Sequence, residues 1–114
     1  MYKYGVFEEY FGKFDAENII CVTETQDNAV MICKLFTDYR QKNGRVCFAY
    51  NYRIVDENPD YCRYVVSLNG DVICAVDDVS GASRICSFFD DKEASYNKIA
   101  DDYIDFLDDI DYWH

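Results

Sequence analysis

Six cysteines, a single histidine and several adjacent acid pairs are the residues whose types could do chemistry in this chain. Cys21, Cys33, Cys47, Cys62, Cys74 and Cys86 are separated by 12, 14, 15, 12 and 12 residues. A structural zinc site draws ligands in pairs about two to four residues apart, and no such pair occurs. The one histidine is His114, at a position where chains fray. Ser-His-Asp and Cys-His catalysis therefore have no base inside the expected fold. The five glycines are too scattered for a phosphate-cradling loop. Glu8-Glu9 and Asp77-Asp78 are adjacent carboxylates, which on a strand point to opposite faces and suit solvent better than acid–base catalysis. No calcium-loop pattern is present. The residues thus predict no catalytic residue, no metal and no cofactor.

Four of the cysteines follow an isoleucine (Ile20, Ile32, Ile73, Ile85) inside apolar runs. They read as small buried hydrophobes. The start, MYKYGVFEEY, lacks the basic end and apolar run of an export signal. Reduced thiols in a soluble cytoplasmic protein are the expectation. No apolar run approaches the roughly 20 residues of a membrane-spanning helix.

The charge is unevenly placed. The 114 residues hold 22 acids and 11 bases, a formal net charge of −11. Residues 1–55 carry seven of each, and residues 56–114 carry fifteen acids and four bases. A net charge of this sign argues against direct binding to nucleic acid or to an anionic membrane. Half the residues are hydrophobic and 18% are aromatic, enough for one packed core rather than a disordered acidic chain.

The elements that must position these groups follow from periodicity. Tyr4 to Tyr10 and Ile19 to Thr23 read as strands joined by a Gly/Asp/Asn loop. Thr25 can cap a helix in which Ala29, Ile32, Leu35, Phe36 and Tyr39 recur at helical spacing, closed by Asn43-Gly44. Val46, Phe48, Tyr50, Tyr52 and Ile54 alternate with smaller or polar residues, as a strand with one apolar face does. Such aromatics can stack single-stranded bases, but the negative field favours a core role. Tyr61 to Leu68 and Val72 to Val76 flank Asn69-Gly70, a strong hairpin signal.

Residues 19–38 align with residues 72–91 at an offset of 53, matching Ile20, Cys21, Ala29, Ile32, Cys33, Phe36 and Asp38 with Ile73, Cys74, Ala82, Ile85, Cys86, Phe89 and Asp91. The alignment predicts an internal repeat and makes 79–89 helical rather than a strand. Ile99, Tyr103, Phe106, Leu107 and Ile110 then predict an amphipathic C-terminal helix, with Asp90 and Glu93 as its capping box. The expected fold is one α+β domain over 1–114: an antiparallel sheet with helices on one face, ordered ββαβ-ββα plus the acidic helix.

On that helix Asp101, Asp105 and Asp108 form one row, with Asp102 and Asp109 beside it and Asp111 beyond; Asp90 and Asp91 precede it. Carboxylates four apart stand roughly 6 Å apart along a helix, against about 3.4 Å between phosphates on one DNA strand. The row costs about 0.2–0.5 kcal/mol per like-charged pair. A chain that tolerates this has a use for it. These eight aspartates are the expected binding residues of a non-enzymatic inhibitor. The expected partner is a basic nucleic-acid-binding protein, a nuclease or CRISPR effector, for which the carboxylates mimic phosphates. Size and charge are those of phage or mobile-element inhibitors of restriction and CRISPR nucleases, and of immunity proteins against nuclease toxins. Two alternatives remain: an interaction or adaptor module with incidental acidity, and a small enzyme without a recognisable motif.

Overall fold

Thr25 stops the second strand and starts the first helix. Its hydroxyl accepts the Asn28 amide at 3.2 Å, and Asp27 lies in the first turn. In the computed structural model, which describes residues 2–55, 63–90 and 93–99, this helix, α1, spans Gln26–Lys42 and ends at Asn43. It follows strands β1 (Tyr4–Tyr10) and β2 (Ile19–Thr23), and it precedes β3 (Phe48–Ile54). The second half runs β4 (Tyr64–Leu68), β5 (Asp71–Val76), α2 (Val79–Cys86) and β6 (Ala94–Lys98). The hairpin turn at Asn69-Gly70 holds both residues at positive φ, 53° and 88°, as the Asn-Gly signal requires.

The six strands form one sheet in the order β3-β1-β2-β5-β4-β6, with every neighbouring pair antiparallel. The order is the same read from either edge: each half places its first strand in the middle of three. The halves meet where β2 pairs β5, with Val22 opposite Ala75. Those two residues are separated by the same 53 positions that align residues 19–38 with 72–91. Both windows fold as strand then helix.

Both helices pack on one face of the sheet. Ala29, Ile32 and Phe36 of α1 and Ala82 and Ile85 of α2 share a core with Val6, Cys21, Tyr50, Val66, Cys74 and Val76. Phe36 meets Phe88 edge-on at 4.9 Å, joining the two helical layers. Phe7, Val22 and Ala75 are buried outside this cluster, on the opposite face. There Phe14 folds back from the β1–β2 loop onto Phe7 at 5.0 Å, and the Arg53 guanidinium caps the Phe14 ring at 3.7 Å.

Three sequence expectations are corrected. The capping box at Asp90 and Glu93 does not start a helix: the Glu93 and Ala94 amides donate to the Asp90 carbonyl, and the chain continues as β6 against β4. The β4 edge supplies hydrogen bonds that the polar sequence Ala-Ser-Tyr-Asn-Lys does not advertise. The third strand starts at Phe48 rather than Val46, because the Arg45 amide turns back to the Arg40 carbonyl and leaves Val46 81% exposed. The second helix ends at Cys86; residues 87–89 continue only as a tight turn, with Phe88 and Phe89 amides donating to Ile85 and Cys86 carbonyls. The expected C-terminal helix beyond Ile99 lies outside the described residues. Among those described, no helix is long and apolar enough to cross a membrane.

Five cysteines are described, and all are free thiols. Cys21, Cys33 and Cys74 are buried, and Cys47 and Cys86 are half-buried. A hydrogen bond to Cys74, then burial, pushes the Cys21 thiol well up, and burial pushes Cys33 up to about 11.

One turn works against its own sequence. Phe11 has φ +51° and Gly12 +73°, in a tight turn closed by the Lys13 amide on the Tyr10 carbonyl. Asn or Gly suits the first of these positions, and Phe does not. The Phe11 ring is 69% exposed, with an edge-on contact to Tyr10 at 4.3 Å as its described ring partner. Phe11→Asn should therefore raise stability by roughly 0.5–1 kcal/mol. Thermal unfolding of the two proteins checks this, expected as a rise of a few degrees.

Candidate functional site

The described acids of the second half stand at the surface. Asp71, Asp77, Asp78, Asp90 and Glu93 are all exposed, and no described Lys or Arg lies within ion-pair distance of them. The Arg40–Glu8 ion pair, at 3.4 Å, has both its members in the neutral first half. Of the eight aspartates expected from the sequence, Asp90 is described. It sits on the turn between α2 and β6, where its carbonyl accepts the Glu93 and Ala94 amides and its residue remains exposed. Asp91, Asp101, Asp102, Asp105, Asp108, Asp109 and Asp111 lie outside the described residues.

Asp77 and Asp78 owe their position to the end of β5. Asp78 adopts an extended backbone and caps α2, its carboxylate accepting the Gly81 amide at 2.7 Å. With Glu8 of β1 and Arg84 of α2 they line a cleft of about 250 Å³ between the helices. Glu8 is held from the other side. The Tyr50 hydroxyl donates to Glu8 Oε2 at 2.6 Å, and Arg40 donates to both, to Tyr50 Oη at 2.9 Å and to Glu8 Oε2 at 3.4 Å. Arg40 also covers the Phe48 ring at 4.5 Å. Burial, then the Glu8 hydrogen bond, pushes the Tyr50 hydroxyl up to about 12.

A wider hollow of about 570 Å³ opens on the other side of Ser80 and Arg84. Its rim includes Tyr39, Val79 and Tyr96, all partly exposed, and its floor includes Phe88. The hollow exists because α2 has 8 residues where α1 has 17. Roughly 13 Å of helix is missing over the β4–β6 side. Sequence reasoning did not find it. The signal was the row Ser80, Ser83, Ser87 at helical spacing, but only tertiary packing brings Tyr39 and Tyr96 to it.

Chemically, the arrangement presents carboxylates to solvent. The Cys21 and Cys33 thiols, pushed above their ordinary range, are poor nucleophiles at neutral pH, and Tyr50, which keeps its proton and donates it to Glu8, is no base there. Exposed, unneutralised carboxylates can receive guanidinium and ammonium groups. No protein-family model, no curated protein and no solved structure matches the chain.

The Tyr50 network predicts a pH effect of definite sign. The folded-state value lies above the ordinary tyrosine value of 10.0, so its stabilisation is complete below pH 10 and is lost as pH rises toward 12. The loss is on the order of 2 kcal/mol. Denaturant unfolding between pH 9 and 12, compared with Tyr50→Phe, checks it: the variant should start less stable by about 1 kcal/mol and show a shallower decline.

Proposed function

We propose that this protein is a non-enzymatic cytoplasmic inhibitor that binds a basic nucleic-acid-handling protein, with its carboxylates taking the place of phosphates. Nucleases of restriction, CRISPR or toxin systems are the partner class that fits, and a phage or mobile element is the fitting source. The observation that carries the reading is the charge layout: five described acids of the second half stand exposed, with no ion pair to a described Lys or Arg, on a fold whose first half is neutral. Such a surface attracts a basic cleft at long range and speeds encounter. The aspartates from Asp101 to Asp111 extend the same charge along the chain. None of the five described acids belongs to the core cluster, and Asp78 caps α2.

A second reading has an observation of its own. The exposed rim of Tyr39, Val79 and Tyr96 suits an interaction module that docks by apolar contact.

Salt separates the two. Binding of a basic nuclease through carboxylates should weaken steeply with ionic strength, whereas apolar docking should change little. In the variant with Asp101, Asp105, Asp108 and Asp109 changed to Asn, association should slow and the salt dependence should flatten, with melting unchanged or slightly raised. Lys at the same positions should bind worse than Asn, because it places repulsion against the basic cleft. Stopped-flow association and thermal melting of these variants check the set. Unchanged affinity in the Asn variant would favour the interaction-module reading.

A further inference from the structure

The two edges of the sheet are built differently. β6 is five residues long, polar, exposed along most of its length, and ends in Lys98. Short length, polar residues and lysine are the usual protections of an edge against pairing with another chain. β3 is less protected: it has no lysine, and its polar residues are Asn51 and Arg53. It is seven residues long, Phe-Ala-Tyr-Asn-Tyr-Arg-Ile, with no proline and no bulge in its register with β1. Ile54 at its end is 80% exposed.

Among the described residues no strand pairs with the outer side of β3, and the hydrogen-bonding groups on that side can be assigned by parity. The Phe11 amide donates to the Cys47 carbonyl at 2.9 Å, and the Val55 amide donates to the Lys3 carbonyl at 2.8 Å. In an antiparallel ladder one residue's N–H and C=O point to the same side, and successive residues alternate. The odd-numbered residues of β3 therefore face β1. Phe48, Tyr50, Tyr52 and Ile54 point their backbone groups away from the sheet. The Phe48 amide turns back to the Arg45 carbonyl, which leaves three donors and four acceptors along the edge.

We propose that this edge pairs with the β3 edge of a second copy of the chain, in antiparallel register about Asn51. That register pairs all seven residues. Tyr50 then exchanges backbone hydrogen bonds with the partner's Tyr52, and the Ile54 amide reaches the carbonyl of the partner's Phe48. Both are even-numbered pairs, as the parity demands. Ile54 lies beside the partner's Phe48, covering the exposed side chain, and Arg53 lies opposite the partner's Ala49, so the two arginines do not meet. Charge favours this edge over the other. Residues 1–55 have no net charge, while a β6 junction would bring together two halves that each carry −11. Two six-stranded sheets become one of twelve, with the acidic halves at its far ends. The pairing does not depend on what those acids bind.

The experiment is sedimentation equilibrium over a wide concentration range on the full chain, with wild type, Ile54→Pro and Ile54→Lys. Wild type should pass from 13.4 kDa toward twice that mass. Ile54→Pro removes an outward donor without touching the β1 ladder, so it should weaken association by about tenfold or more with melting little changed. Ile54→Lys, which restores the edge protection, should do the same. Hydrogen exchange gives an independent readout: the Tyr50, Tyr52 and Ile54 amides should become protected as concentration rises, while Asn51 and Arg53 stay protected throughout. A mass that stays at one chain at every concentration, variants that associate as tightly as wild type, or outward amides indifferent to concentration would each overturn the pairing.

Discussion

Everything in this fold depends on the junction of β2 with β5. Each half of the chain is a three-stranded sheet with one helix, of about half the total length, too small to hold a core by itself. The junction is short, a ladder centred on Val22 opposite Ala75. What makes it sufficient is burial from both sides. Cys21, Thr23, Cys74 and Val76 are buried beside it, and Val22 and Ala75 are buried on the other face. Small side chains at the seam let Ile32 and Ile85, both fully buried, pack over it from the two helices. The free thiols follow from this. Cysteine serves here as a small apolar side chain, and at the seam the Cys21 proton is held by the hydrogen bond with Cys74 and then by burial.

Much of this was legible in the sequence because local and tertiary preferences agree. Thr25, the spacing from Ala29 to Phe36 and the Asn69-Gly70 turn each specify an element by themselves, and the packed fold uses each as written. The second helix was legible only by comparison, since Arg84 to Phe89 reads equally well as a strand. The 53-residue offset decided the matter in favour of a helix, which the fold has from Val79 to Cys86. β6 was not legible: its residues have weak strand preference, and the hydrogen bonds that form it belong to β4. The strand start at Val46 failed for the opposite reason. Val46 continues the alternation perfectly well, but the return from α1 needs the turn that Arg45 makes.

The candidate site divides in the same way. That the second half would be acidic is simple counting. That its described acids would stand exposed, with no ion pair to a described Lys or Arg, while Arg40 and Glu8 pair in the neutral half, is a property of the packed chain. Asp77 and Asp78 gain a role that no spacing suggested: the end of β5 turns one of them into the cap of α2 and leaves both on the rim of a cleft that also receives Glu8. The shortness of α2, which opens the aromatic hollow beside that cleft, follows from the early turn at Ser87.

Phosphate mimicry is a claim about occupancy, so competition tests it most directly. A basic nuclease that binds this protein is loaded with a labelled duplex, and the protein is added at fixed ionic strength. If its carboxylates occupy the phosphate track, the duplex is displaced, and the apparent affinity of the protein falls in proportion to duplex concentration. If duplex and protein bind the same nuclease together without affecting each other, the acids do not stand where phosphates go, and the account is wrong.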